Sequence, residues 1–322
     1  MKLKSIIELF SIILLFRGCF VFEWTHTNLE QYGNNAGVSL KITNDTSFFL
    51  VTYWDSLEVF KSKDRGKNWN KLYSFNRDWF YDADLLDGEN LYIAMKNKAD
   101  TCYAISKCSL IKNNINSLIL PDSTYCEYKT RLWMGEDNEL RILLKSIKSK
   151  NRMLYRITQD FKNLVFERSL PDSMATSSVI VINDSSFVYK DNHTNNVVIN
   201  YPNKASIISS LKGRTPCLVS EGNLYLTSLD STDSNVYSYY LAKKSIDTIP
   251  SFPLPKYVFY AKQDTLVTRM RTNKHHIVFG EINNKGQSVK YFDPGIVFVY
   301  CTTVYNGKLY IYHNGQIRHY EL

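Results

Sequence analysis

The chain has 322 residues, of which 44% are hydrophobic and 22% charged, and its formal net charge is +8. This apolar content is enough for a sizeable core, so wholesale disorder is excluded. Beyond the N-terminus no apolar run approaches the roughly 20 residues of a membrane-spanning helix, which excludes a polytopic membrane protein. Tyr and Phe contribute 23 and 17 residues. Because aromatic residues favour strands, the composition indicates an all-β chain.

Residues 1–18 have the features of a signal peptide. Two lysines begin the segment, and a short apolar run extends from Leu9 to Phe16. The pair Gly18-Cys19 follows and resembles the bacterial lipoprotein box, so we expect lipidation at Cys19. A conventional cleaved signal and a retained anchor remain alternatives. All three predict export, either as a periplasmic or outer-membrane lipoprotein of a bacterium or by secretion. For the lipoprotein we expect membrane contact through the N-terminal lipid only.

Removing residues 1–18 lowers the net charge from +8 to +6. A basic exported protein favours acidic partners and has no reason to bind nucleic acid. The remaining cysteines are Cys102, Cys108, Cys126, Cys217 and Cys301. Export permits disulfides, and proximity favours a bridge from Cys102 or Cys108 to Cys126. Five is an odd number, so at least one thiol stays free or pairs with another chain. The chain has no CxxC pair, and we predict neither a metal nor a cofactor.

A polar turn followed by an alternating strand recurs seven times, roughly 40–50 residues apart. The turns are 43–46, 87–90, 136–139, 183–185, 221–223, 262–264 and 306–308. Each is typical of a hairpin, because Asn, Asp and Gly tolerate the left-handed backbone of such turns. Four strands can be drawn around each hairpin, for example 79–86, 89–96, 102–108 and 116–120. In the next unit they are 128–134, 139–146, 152–157 and 164–169. Seven such units predict a seven-bladed β-propeller of four-stranded antiparallel blades in one domain, 19–322. A large β-sandwich is the alternative.

One turn motif sharpens this prediction. Residues 62–69 read SKDRGKNW and match the pattern Ser-x-Asp-x-Gly-x-x-Trp at every fixed position, with Ser62, Asp64, Gly66 and Trp69. The Asp can accept backbone N–H groups, the Gly can take positive φ and the Trp can bury its ring. This is the Asp-box, or BNR repeat, so the chain resembles the sialidase-like and sortilin-like propellers. The resemblance implies a structural turn between third and fourth strands, away from the ligand.

A weaker copy of the motif begins at Thr158-Gln159-Asp160. The last unit contains three strands, near 299–304, 308–312 and 315–320. We expect the segment 22–32 to supply the fourth strand and close the ring, which would cover an edge that otherwise attracts partners.

The chain lacks the arginine pattern of the sialidases, so we do not expect sialidase activity. The family pattern has an Arg-Ile-Pro near the first blade, whereas the one Arg before the box is Arg17. Without an arginine cluster a carboxylate substrate has no bidentate clamp. Other glycosidases need two facing carboxylates, and we interpret Asp78, Asp82 and Asp84 as ordinary polar positions. We therefore predict no catalytic residues.

Binding remains. In a propeller the ligand face is formed by the loop that leaves each fourth strand and the loop between the second and third strands. These loops carry basic and aromatic side chains that fit an acidic protein surface or an anionic glycan. The candidate partner-binding residues are Arg77, Trp79, Tyr125, Lys148, Lys150, Arg152, Arg214, Tyr257, Arg271 and Lys274.

The sequence thus predicts a monomeric, non-catalytic propeller that docks a protein partner. One version is an immunity protein that blocks a toxin; another resembles the assembly-factor propellers of membrane complexes. A glycan-binding or glycoside-hydrolase propeller is the alternative, and an envelope scaffold without a specific ligand is the third option.

Overall fold

The computed structural model describes residues 23–25, 29, 37–53, 55–98, 102–120, 130–145, 151–174, 178–184, 186–201, 204–228, 235–250, 255–262, 265–271, 277–283, 289–292, 301–313 and 315–322. Within these ranges 28 strands form four-stranded antiparallel sheets. The same ranges contain a 3-10 helix of three residues, Ser209–Leu211. None of the described helical segments has the length and apolar content to cross a bilayer. The prediction of an all-β propeller with four-stranded antiparallel blades is confirmed.

Seven sheets are described, and we number them in chain order. Sheet 1 contains β2 (Gly37–Ile42), β3 (Phe48–Tyr53), β4 (Leu57–Ser62) and β5 (Asn70–Ser74). Sheet 2 contains β6 (Trp79–Asp87), β7 (Asn90–Asn97), β8 (Tyr103–Ser109) and β9 (Ile115–Leu120). Sheet 3 contains β10 (Arg131–Met134), β11 (Leu140–Lys145), β12 (Arg152–Ile157) and β13 (Leu164–Leu170). Sheet 4 contains β14 (Ile180–Asn183), β15 (Ser186–Lys190), β16 (Val197–Tyr201) and β17 (Lys204–Ile208).

Sheet 5 contains β18 (Arg214–Ser220), β19 (Asn223–Ser228), β20 (Asn235–Tyr240) and β21 (Ser245–Pro250). Sheet 6 contains β22 (Pro255–Lys262), β23 (Thr265–Arg271), β24 (Ile277–Asn283) and β25 (Val289–Phe292). Sheet 7 contains β26 (Cys301–Tyr305), β27 (Lys308–His313), β28 (Gln316–Glu321) and β1 (Glu23–Thr25). Each predicted hairpin turn falls between the first and second strands of a sheet, as expected, with residues 185, 263 and 264 of two of the turns outside the described part of the structure.

Side chains between neighbouring sheets make the core. Seven apolar clusters are described, and each joins one sheet to the next in the order 1–2, 2–3, 3–4, 4–5, 5–6, 6–7 and 7–1. The second strands carry runs such as FFLVTY in β3, buried at all but its last residue. A strand that is covered on both faces needs no polar alternation, which explains these continuous apolar runs. The first strands of neighbouring sheets lie against one another, which places them at the centre.

The N-terminal strand β1 lies at the outer edge of sheet 7. It pairs antiparallel with β28, with Glu23 opposite His319 and Thr25 opposite Ile317. On the other side of the same sheet, the Asn306 side-chain amide donates to the Asp45 carboxylate of sheet 1 at 3.0 Å. Sheet 7 therefore combines strands from both ends of the chain, and its hairpin contacts sheet 1.

The turn 62–69 joins β4 to β5, the third and fourth strands of sheet 1. The Ser62 hydroxyl accepts the Gly66 N–H at 2.8 Å, and the Asp64 carboxylate accepts the Asn68 N–H at 2.8 Å. Burial acts to raise the pKa of Asp64, but hydrogen bonds from Asn68 and Ser62 hold it below its usual value. The Trp69 ring is fully buried, and its N–H donates to the Gly66 carbonyl at 2.8 Å.

Gly66 has a φ of +82°, and a Cβ at this position would lie 2.6 Å from the Ile317 side chain of sheet 7. The turn thus needs glycine for its backbone and for its packing. The turn at 158–163 repeats part of this pattern. Thr158 donates to the Asp160 carboxylate at 2.6 Å, and Phe161 buries its ring against sheet 2. Phe161 adopts a φ of +59° there.

Candidate binding face and central cluster

The loop face is the end of the molecule where the second strand of each sheet turns into the third and each fourth strand leaves for the next sheet. Its described part includes Tyr53 and the segments 55–57, 74–79 and 97–98 of sheets 1 and 2. The Lys98 N–H donates to the Asp78 carbonyl at 2.8 Å. This bond ties the backbones of two of the loops together.

An aromatic–basic patch, defined by Tyr53, Arg77, Trp79, Phe80 and Lys98, lies on this face. The Tyr53 and Phe80 rings contact each other at 5.5 Å between centroids, across sheets 1 and 2. The Lys98 ammonium lies 5.7 Å from the centre of the Phe80 ring. Phe80 is 38% exposed, Arg77 is exposed and Trp79 is half-buried against the cluster between these sheets. Exposed aromatic rings held beside cations are the usual anchors of a protein interface.

Sequence reasoning selected Arg77 and Trp79 but missed Tyr53 and Phe80. Phe80 follows Trp79 in a strand, so its side chain points to the opposite face. The signal that could have found it is a large apolar side chain beside a predicted anchor, at the point where the strand emerges from the loop.

Arg152 requires a correction. It was predicted to be a loop cation for a partner, but it is 2% exposed and begins strand β12. Its guanidinium donates to the Asp172 carbonyl in the segment that leaves sheet 3. Arg152 therefore fastens this segment to the sheet. Arg214 is also engaged: it donates to the Ser228 hydroxyl at 3.0 Å and to the Tyr237 hydroxyl at 2.9 Å.

The other candidates cannot be placed on the face as side chains. Tyr257 and Arg271 belong to β22 and β23, with their side chains outside the described part of the structure. Outside the described residues altogether lie Cys19, Tyr125, Cys126, Lys148, Lys150 and Lys274.

The cysteines also differ from expectation. Cys102 and Cys108 are free thiols, so the predicted bridge from one of them to Cys126 is not formed. Cys108 is fully buried in the cluster between sheets 1 and 2, and burial raises the pKa of its thiol to about 12. It packs as a small apolar side chain, which is how a buried free cysteine ordinarily behaves.

A central cluster, defined by Lys41, Tyr81, Asp84 and Cys301, joins the first strands of sheets 1, 2 and 7. The Lys41 ammonium lies 3.1 Å from the Asp84 carboxylate, and the Asp84 side chain is 4% exposed. Burial, and then the Asp84 charge, raise the pKa values of the Tyr81 hydroxyl and the Cys301 thiol. Cys301 therefore stays a thiol rather than the nucleophilic thiolate. The cluster is one ion pair with two neutral neighbours, and its chemistry is structural.

Asp82 does not face Asp84 as a second catalytic carboxylate would. Its carboxylate accepts the Tyr103 hydroxyl at 2.5 Å and the Thr130 N–H at 3.0 Å. A bulge between Tyr81 and Ala83 interrupts the strand at this point. The two carboxylates are thus committed to separate structural contacts.

At the end of the sheets opposite to the loop face, an ionic network surrounds the buried Arg141. Its guanidinium donates to both oxygens of Asp137, at 2.8 and 2.9 Å, and lies 3.4 Å from Glu167 and 3.6 Å from Asp184. Asp184 also accepts the Glu136 N–H at 2.7 Å. Since Asp184 belongs to sheet 4, the network connects sheets 3 and 4.

We expect this network to make stability depend on acid pH. Chiefly through the hydrogen bond from Arg141, the pKa of Asp137 falls from 3.8 to about 2. The folded-state pKa is the lower one, so the stabilisation is present above about pH 4 and is lost as the pH falls from 4 to 2. Asp137 is 44% exposed on its side chain, which limits the effect to about 1 kcal/mol. Urea unfolding at pH 5 and pH 2.5 should show a smaller acid loss in Asp137→Asn than in the parent. The exposed Glu89→Gln is the control, and an equal acid loss in Asp137→Asn would contradict the assignment.

No family model and no curated protein matches the chain. Solved structures do match. The one described as "YCF48 bound to D1 peptide" is 10% identical with a TM-score of 0.63, covering 94% of this chain and 95% of that chain. The WD40 β-propeller domain of Doa1 is 13% identical with a TM-score of 0.56, covering 94% and 97%. An uncharacterized protein of Listeria monocytogenes EGD-e is 8% identical with a TM-score of 0.58, covering 91% and 90%. At these identities the likeness shows the β-propeller fold alone.

Proposed function

We propose that this chain is an exported, non-catalytic binding propeller that docks an acidic partner protein through its aromatic–basic patch. The observation that carries the proposal is the exposed Phe80 ring, held by Tyr53 and Lys98 on the loop face. An aromatic side chain loses little conformational freedom on binding, so a ring that is already held is an effective anchor. A likeness to a propeller described as bound to a peptide agrees with this role.

Charge supports the choice of an acidic partner. The formal net charge is +8 for the full chain and +6 after removal of residues 1–18, and Arg77 and Lys98 flank the patch. Asp55 and Asp78 lie in the same loops, so we assign the local affinity mainly to the rings. The net charge acts at longer range by steering the partner towards the molecule. A toxin, with this chain as its immunity protein, and a membrane complex under assembly are the two partner types that fit the proposal.

The architecture that we propose is one ring of seven blades, of the Asp-box type, closed by β1. The seven interface clusters, including the one that joins sheets 7 and 1, support a closed ring. The pairing of β1 with β28 supports closure by the N-terminal strand. The hydrogen bonds of Ser62 and Asp64 in the turn 62–69 support the Asp-box.

The cellular location of the protein is likewise a proposal. The sequence features of residues 1–18 support a signal peptide, and Gly18-Cys19 supports a lipid anchor at Cys19 in the periplasm or outer membrane. The mature chain would then be a single propeller domain and a monomer, tethered near the membrane by its N-terminus.

The test is retention of envelope proteins on the chain from residue 20, at low and moderate salt. Phe80→Asp should weaken the Kd of the captured acidic partner by about tenfold or more, since interface anchors contribute about 2 kcal/mol or more. Lys98→Glu should also lower the affinity for this partner, and the loss should be larger at low salt than at moderate salt, because salt screens the charge.

The matched controls carry the same changes elsewhere. Phe166→Asp alters a phenylalanine that is 53% exposed on the outer strand β13. Lys107→Glu alters a lysine over the Tyr92 ring at 5.8 Å, a geometry similar to that of Lys98. If Phe80→Asp and Phe166→Asp retain the partner equally, the patch is not the docking surface. Retention on a glycan array in place of any protein would favour the glycan-binding alternative.

A further inference from the structure

A groove of about 1010 Å³ lies between sheets 4 and 5. Its floor is the apolar cluster between these sheets, including the buried Ile208 and Tyr239. Ile207, Ser209 and Lys244 contribute to its walls. The volume is at the upper end of the range for ligand sites, which run to about 1,000 Å³.

The strand β17 forms one border of the groove and is the outermost strand of sheet 4. It pairs with β16 in the register Tyr201–Lys204, Ile199–Ser206 and Val197–Ile208. Tyr201 and Lys204 are paired although they are only three positions apart in the chain, a spacing at which the closing pair of a ladder is hydrogen-bonded, so these pairs are the hydrogen-bonded ones. The N–H and C=O groups of Ala205 and Ile207 consequently point to the outer edge. This edge is a template to which another strand can add.

The side chains along this edge favour an apolar ligand. Ile207 is 64% exposed, an unusual position for isoleucine on a strand. Side chains of an added strand alternate between two faces, so every second one would point into the groove. Those side chains would cover the apolar floor, and the intervening ones would lie on the other face of the sheet against Ile207, which shares that face with its pairing partner Val198.

One charge selects the partner further. Lys244 is exposed at the end of the groove, and its N–H donates to the Tyr240 carbonyl at 2.8 Å, which fixes the turn. No ion pair is described for Lys244. The nearby Asp247 follows Ile246 in strand β21, so the two side chains lie on opposite faces, and Ile246 packs towards sheet 4. Asp247 lies on the same face as Ile249, which packs towards sheet 6. Asp247 therefore faces away from the groove, and no carboxylate in the described ranges pairs with Lys244 there.

We propose that the groove binds an extended segment of a partner protein by strand addition to β17. The segment carries apolar side chains at alternate positions, and an Asp or Glu side chain near one end pairs with Lys244. This site is separate from the aromatic–basic patch and extends the proposed function with a second surface.

The experiment uses a displayed octapeptide library, selected on the full chain from residue 20. We expect enriched peptides with alternating apolar residues and an acidic residue near one end. Fluorescence anisotropy with the synthetic peptides should then show tenfold or greater loss of affinity in Ile207→Arg and in Lys244→Glu. The controls are Ile119→Arg, at an isoleucine 63% exposed on β9, and Lys243→Glu, whose ammonium lies over Tyr240.

The controls should bind the peptides like the parent, and all variants should keep the parent melting temperature. The proposal is overturned if selection enriches nothing beyond an Ile207→Arg bait. It is also overturned if both groove variants bind the selected peptides as tightly as the controls do. Partner docking at the loop face is measured with the variants at Phe80 and Lys98. The proposed docking surface and the proposed groove can therefore be contradicted independently of each other.

Discussion

Replacing Trp69 with alanine is expected to lower the free energy of unfolding by about 3–5 kcal/mol, the usual cost of deleting a buried Trp or Phe side chain. Trp69 is fully buried in the cluster that joins sheets 7 and 1, with Phe48 and Phe60. Its N–H also closes the turn 62–69 on the Gly66 carbonyl. The variant thus leaves a cavity at an interface between sheets and a carbonyl without its donor. Urea unfolding followed by far-UV circular dichroism measures the loss.

Two further variants separate the cavity from the turn. Ser62→Ala removes the acceptor of the Asp64 and Gly66 N–H groups and should cost about 1–3 kcal/mol, because it strands buried donors. Phe166→Ala, at a ring that is 53% exposed, should cost much less than Trp69→Ala. If Trp69→Ala loses no more stability than Phe166→Ala, the interface between sheets 7 and 1 does not depend on this ring.

Replacing Lys41 with methionine is expected to destabilise the fold by about 3 kcal/mol, because it leaves the buried Asp84 carboxylate uncompensated. This is the lower end of the cost for a buried ion pair, since the Lys41 side chain is 31% exposed. The Asp84 carboxylate is 4% exposed and lies 3.1 Å from the Lys41 ammonium. Tyr81 and Cys301, its other close neighbours, are neutral and offer no charge to replace the lysine. The urea midpoint at neutral pH measures this loss.

The double variant Lys41→Met with Asp84→Leu tests the reason. It removes both charges and should recover most of the lost stability, since an apolar pair of similar volume often replaces a buried ion pair at little cost. Lys308→Met is the control: its pair with Glu321 is close, at 2.5 Å, but the two side chains are 37% and 68% exposed. That variant should cost about 0–1 kcal/mol. A double variant as unstable as Lys41→Met would show that packing, and not charge, determines the effect.

The strand pattern of this fold was predictable because its signals are local. At the last hairpin, Asn306 and Gly307 take φ values of +46° and +70°, as a two-residue hairpin turn requires. The strands around the second and third hairpins were predicted close to where they lie for the same reason. Even the segment that pairs with β28 could be anticipated, because a three-stranded unit at one end of the chain leaves an edge uncovered.

The candidate site was predictable only in part, because exposure depends on what covers a side chain. Arg152 has the sequence context of a loop cation, yet the segment that follows β13 covers it. Phe80 has the context of a strand residue, yet its ring emerges on the loop face beside Lys98. Cys102 and Cys108 lie near Cys126 in sequence, but Cys108 points into the core between two sheets.

The sequence by itself determined the all-β class, the hairpins, the four-stranded units and the turn 62–69, since each depends on residues within about one hairpin of one another. Only the tertiary structure decided which side chains meet across sheets. The Lys41–Asp84 pair joins residues of two sheets, and Cys301 reaches the same cluster from the far end of the chain. The groove between sheets 4 and 5 is likewise lined by residues of both sheets. Periodicity in a sequence specifies strands, whereas the contacts between strands distant in the chain depend on how the sheets pack, which no local pattern encodes.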